Sequence, residues 1–173
     1  MIFTGFKRKS NQFFFNRNKE TLLENSRVKS LDTIKKVVVL VNSLLELEET
    51  KATLSKLLDI SENDIDGIVF QLKKKKEEKD EIIFTPKDFG WNGDVKTDKL
   101  GFILTNQYDL LINYSKVENV YVNLLLLQCK VAFKVGFGNS NKELYDFIIK
   151  CDASEISVFH TELIKYLKIL KKL

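Results

Sequence analysis

The chain has 173 residues, 44% hydrophobic and 30% charged, with a formal net charge of +4, two Cys and one His. That is the size and balance of one globular domain able to bury roughly 70% of the surface its unfolded chain exposes. It excludes a disordered chain and a disulfide-stapled miniprotein, and one His among scattered carboxylates leads us to expect no metal and no cofactor.

The positive charge sits at the start. Residues 1–36 hold nine Lys or Arg against three acids, residues 37–100 ten against fourteen, and residues 101–173 nine against seven. A helix is expected in the first thirty residues, with Phe3, Phe6, Phe13 and Phe14 on one side and Lys7, Arg8, Lys9 and Arg17 on the other. Docked across a sheet edge, it is structural. As an arm, it offers those four cations to RNA, a ribonucleoprotein, another protein or a membrane surface. Its aromatics also suit homo-oligomerisation. The apolar run Phe13–Phe15 is too short for a signal-peptide core, and Val37–Val41 and Leu124–Leu127 are too short to span a bilayer. A cytoplasmic location is expected, with Cys129 and Cys151 as reduced core thiols.

Strands are expected at Ile34–Val41, Ile68–Leu72, Tyr108–Asn113 and Val131–Phe137, and helices at Leu47–Leu58, Thr97–Leu104, Val117–Cys129 and Glu155–Leu173. Val37–Val41 and Leu110–Ile112 are continuously apolar, as strands covered on both faces of a parallel sheet must be. In the last helix Ile156, Phe159, Leu163, Leu167 and Leu170 form the apolar stripe. Lys73–Glu81 reads as a solvated loop, and Ile82–Thr85 as a short edge strand before the only Pro, Pro86.

Ligands of open parallel sheets bind beyond the carboxyl ends of the strands, where strand order reverses. Those ends carry Asn42 and Ser43, then Asn113, Tyr114 and Ser115, then Gly136 to Asn141. Asn42, Asn113, Tyr114, Gly136 and Gly138 are therefore candidate ligand contacts, against a plain reading as turns and helix caps. The Gly136-Phe137-Gly138 run lacks the third glycine of a dinucleotide fingerprint and the Gly-Lys-Ser/Thr of a P-loop, and its glycines are expected to allow a turn at positive φ.

Lys87-Asp88-Phe89-Gly90-Trp91-Asn92-Gly93 places the only Trp in a loop. Asp88-Phe89-Gly90 spells the kinase metal-binding tripeptide without the companion motifs, so the match is accidental. Trp91 either plugs an apolar gap or stacks on a base or sugar. His160 reads as a structural helix histidine, and Asp109 as a residue at a strand start that bonds backbone amides.

Together with Tyr108–Tyr114, Phe133–Phe137 and Glu162–Leu170, that loop resembles an uncharacterised family of small bacterial proteins. The resemblance covers most of residues 34–173 and implies a Rossmann-like α/β fold with no assigned activity. A fainter likeness, carried by Asp109–Ile112 and Val135–Phe137, is to the amino-terminal half of heptosyltransferase-like glycosyltransferases, which need a second domain for the sugar nucleotide. The expectation is a single three-layer Rossmann-like domain over residues 31–173, with a mainly parallel sheet of four or five strands, preceded by a basic aromatic helical arm over residues 1–30. With no assembled catalytic groups, the first reading is a non-catalytic binding protein. The second is a small enzyme or sensor that holds a nucleotide or sugar phosphate at the strand ends.

Overall fold

The structure, a computed structural model, describes residues 2–29, 33–73, 82–96, 98–115, 119–138, 141–152 and 154–173. Helix α1 (Ile2–Ser26) opens the chain. Strand β1 (Val37–Val41) has five apolar residues in succession, all buried, because helices cover both faces of the sheet there. Helix α2 (Leu44–Leu58) begins where Ser43, in extended backbone, accepts the N–H of Glu46, and stops at Asp59 in left-handed backbone, φ 55°. Then come β2 (Ile65–Phe70), β3 (Ile83–Phe84), α3 (Asp98–Thr105), β4 (Gln107–Asn113), α4 (Val120–Gln128), β5 (Lys130–Phe137), β6 (Phe147–Ile149) and α5 (Ile156–Ile169).

All six strands pair in parallel, in the order β3-β2-β1-β4-β5-β6. Side chains alternate between two apolar layers. Val38, Leu40 and Leu111 face the layer of α1, α3 and α4, while Val37, Val39, Leu110 and Ile112 face α2 and α5. Strand order reverses between β1 and β4, whose register pairs Leu40 with Asn113.

The sheet has six strands rather than four or five, because the outer strands β3 and β6 hold only two and three residues. A run that short carries no readable period. The expected edge strand at Ile82–Thr85 is β3. Strand β2 starts three residues before the apolar run, since Asp66 and Gly67 belong to it: Tyr108 Oη donates to Asp66 Oδ2 at 2.7 Å, and Gly67 leaves room for Leu47. Positions 74–81 of the expected charged loop, Thr97, and Val117 of the expected fourth helix lie outside the described residues.

Helix α1 lies along α4 and ends over β5, where Arg27 bridges Val131. Its inward stripe is Lys7, Asn11, Phe14, Phe15, Asn18, Leu22 and Ser26, recurring at three and four residues. Phe15 is buried, a contribution of about 1.5–3 kcal/mol, whereas Phe6 is 60% and Phe13 68% exposed. The expected grouping of Phe6, Phe13 and Phe14 on one side is thus corrected: Phe14 turns in and the other two turn out. Polar groups on the inward stripe, not aromatics, set the helix orientation.

Candidate functional site

The carboxyl edge brings together the predicted Asn42, Asn113, Tyr114, Gly136 and Gly138, and most of them already have work within the fold. Asn42 Nδ2 donates to the Phe70 carbonyl (3.2 Å) and to Ser115 Oγ (3.0 Å), tying the end of β2 to the end of β4. Asn113 Nδ2 donates to Tyr145 Oη (2.6 Å), and its Oδ1 accepts the N–H of Ser115 (2.9 Å). The Gly136 backbone passes so close to the Tyr145 ring that a Cβ there would lie 2.7 Å from a ring carbon, and Gly138 packs on the Lys150 backbone. Neither glycine is at positive φ; among the described residues the glycine that is, at φ 75°, is Gly93. The expected role of Gly136 and Gly138 is corrected accordingly: close approach, not turn geometry, requires them.

Tyr114 is buried and its hydroxyl is 2.9 Å from Nε2 of His160, with Phe137 and Phe159 packed on its ring. Burial raises the Tyr114 phenol above its ordinary range and lowers His160 below its own, so both are neutral at pH 7. This pair was not foreseen, since its members lie on separate elements 46 residues apart.

In a sheet of this order, phosphates bind at the helix start after the first strand. Here that place is taken. Glu46 Oε2 accepts the N–H of Asn42 at 3.0 Å and Ser43 Oγ accepts the N–H of Glu46 at 3.2 Å, so an internal carboxylate and hydroxyl occupy the first turn of α2. A phosphate brought here would meet like charge.

The Trp91 loop docks on α1. Lys7 Nζ donates to the carbonyls of Pro86 (2.9 Å) and Lys87 (3.4 Å), Ser10 Oγ to that of Trp91 (2.8 Å), and Asn11 Nδ2 to that of Gly90 (3.0 Å). Gln128 Nε2 holds the carbonyl of Gly93 at 2.9 Å, and Phe14 and Leu124 lie against that glycine. Asp88 accepts from Thr85 N and Oγ1 and caps the short turn Pro86–Asp88, while Phe89 is buried against the Tyr121 ring at 5.1 Å. The kinase-like tripeptide is therefore a structural turn.

Trp91 itself is 48% exposed and plugs no gap. Its carbonyl is anchored to Ser10, which stands four residues after Phe6 and three before Phe13, so the loop meets α1 on the turns that carry the two exposed rings. Arg8, Lys9 and Arg17 are exposed, whereas Lys7 is tied to the loop and desolvation lowers its pKa. Ser10 and Asn11 are anchors of the Trp91 loop that sequence reasoning missed. Their signal was a polar residue, Asn11, in register with Phe14, Phe15, Asn18 and Leu22.

Asp109 Oδ2 accepts the N–H groups of Lys35 (2.9 Å) and Lys36 (2.8 Å), as expected for a residue at a strand start. Cys129 is buried and Cys151 half-buried, both unpaired. Among the described residues no three His, Cys, Asp or Glu side chains gather where a metal ion could sit, and no helix is long and apolar enough to cross a membrane.

A six-stranded parallel sheet in this order, with helices on both faces, makes the chain a doubly wound, Rossmann-like α/β protein whose first helix start carries its own carboxylate, Glu46. More particularly, it belongs to the family of unknown function DUF6913, whose model matches residues 7–170. That match takes in most of α1 as well as the sheet. No curated protein and no solved structure matches the chain, so the likeness to heptosyltransferases rests on Asp109–Ile112 and Val135–Phe137 alone.

Proposed function

We propose that this chain is a non-catalytic binding protein of the cytoplasm that contacts RNA, free or within a ribonucleoprotein, through the outer face of α1 and the Trp91 loop. The observation that carries this reading is the exposure of Phe6 and Phe13 beside Lys9 and Arg17, with Arg8 exposed at the flank, on a helix whose other face is docked. Cations attract the phosphate backbone, and exposed rings offer stacking surfaces to bases. Two unpaired thiols suit a reducing compartment. A nucleotide or sugar phosphate at the carboxyl edge is disfavoured, because Glu46 fills the anion position and Asn42 and Asn113 bond within the fold.

The test is gradient sedimentation of the protein in native lysate, with and without ribonuclease, beside an Arg8→Gln/Lys9→Gln/Arg17→Gln variant. The reading predicts migration with heavy particles that ribonuclease releases and the variant does not enter. Migration as a free monomer under all conditions would overturn it.

A further inference from the structure

We infer that the nucleic acid taken by this surface is single-stranded, gripped by stacking of bases on Phe6, Phe13 and Trp91; this rests on the RNA-binding reading above. Among the described side chains of α1, residues 5–26, the exposed large apolar ones are Phe6 and Phe13, and neither is aliphatic. A groove for a partner helix, or a helix lying in a bilayer interface, is built chiefly from aliphatic side chains on a continuous stripe. Isolated rings separated by cations are instead the composition of a stacking platform.

The spacing agrees. Phe6 and Phe13 are seven residues apart, which places them about 10 Å apart along the axis on nearly the same side of the helix. Lys9 lies between them and Arg17 one turn beyond Phe13, so a strand crossing the rings meets a cation beside each. Trp91 joins from the loop, its carbonyl fixed by Ser10 between the two rings. The acids Glu20 and Glu24 follow on the same face and mark where the cationic surface ends. A duplex keeps its bases stacked on one another and cannot present their faces to these rings; only its phosphates would be read.

The two side-chain classes have separable signatures. Cations release counterions, so two phosphate contacts, from Lys9 and Arg17, give log K against log salt a slope of about −1.4 for a single strand. Stacking adds affinity with little effect on that slope.

The experiment is fluorescence anisotropy of the full chain with a short unstructured single-stranded RNA, single-stranded DNA of the same sequence, and the RNA duplex, over a range of salt. The single strands should bind more tightly than the duplex. Phe6→Ala/Phe13→Ala, which removes two stacking contacts, should weaken them by roughly 30-fold or more at unchanged slope. Arg8→Gln/Lys9→Gln/Arg17→Gln should flatten the slope toward zero. All these side chains are exposed, and far-UV circular dichroism checks that each variant folds. Equal affinity for duplex and single strand, insensitive to loss of the rings, would overturn this inference and leave the RNA-binding reading standing. No binding to any of the three would overturn both.

Discussion

The Lys134 ammonium, carried inward on β5, donates to Ser26 Oγ at 2.8 Å beneath the last turn of α1, and both residues are buried. Ser26 Oγ donates in turn to the Leu23 carbonyl at 2.9 Å, so this chain of bonds seats the end of α1 on the sheet. Burial pushes the Lys134 pKa down to about 8, against a partly compensating attraction from Cys129 and Asp146. An unfolded Lys keeps its proton up to about 10.5, so between 8 and 10.5 the unfolded chain binds more protons than the folded one and stability rises with pH. The gain is at most about 3 kcal/mol. The Cys129 thiol, which burial pushes up to about 12, opposes it from about pH 9, where an unfolded thiol gives up its proton, and the Tyr108 and Tyr114 phenols, raised by burial, oppose it above pH 10. Urea midpoints should therefore climb from pH 8 to about 9 and then level off, and Lys134→Met should abolish the climb while leaving stability at pH 7 equal or higher.

Gly136→Ala should destabilise by about 1–3 kcal/mol, because the new methyl group meets the Tyr145 ring. The same substitution made in a Tyr145→Leu background should be milder. A double-mutant cycle of denaturation midpoints measures the coupling, and additive effects would show that the ring is not the obstacle.

Glu46→Ala should cost about 1 kcal/mol, since it removes the acceptor for the Asn42 N–H and a carboxylate from the start of α2. Thermal unfolding of the wild type should be unmoved by ATP or NAD. A nucleotide-induced rise in Tm that Glu46→Ala enlarges would place a phosphate site at α2 after all.

Asn11→Leu should cost about 1–3 kcal/mol by leaving the buried Gly90 carbonyl without its donor. Because Trp91 is the only Trp, its fluorescence reports on the loop alone. Acrylamide should quench it more readily in the variant, at denaturant concentrations where far-UV circular dichroism is still native.

The central sheet was legible because Val37–Val41 and Leu110–Ile112 are apolar at every position, which only a doubly covered strand tolerates. Asp109 was legible for a local reason: its amide partners are set by the start of β4. The orientation of α1 was not, since its inward stripe includes Lys7, Asn11 and Ser26, and the hydrophobic pattern points elsewhere. Pairs such as Tyr114 with His160, Gly136 with Tyr145 and Lys7 with Pro86 depend on tertiary proximity between distant segments. Composition supplied the candidates at the carboxyl edge, but only hydrogen-bond partners reveal that Asn42 and Asn113 join strand ends.

The central claim is that RNA meets the outer face of α1. Photocrosslinking of the purified full chain to thiouridine-substituted RNA, followed by mass spectrometry of the crosslinked peptides, tests it most directly. RNA held on this face should crosslink within residues 6–17 and at Trp91, and the crosslinks should be lost at high salt. Crosslinks confined to peptides holding Asn42, Asn113 or His160, or none at any salt, would contradict it.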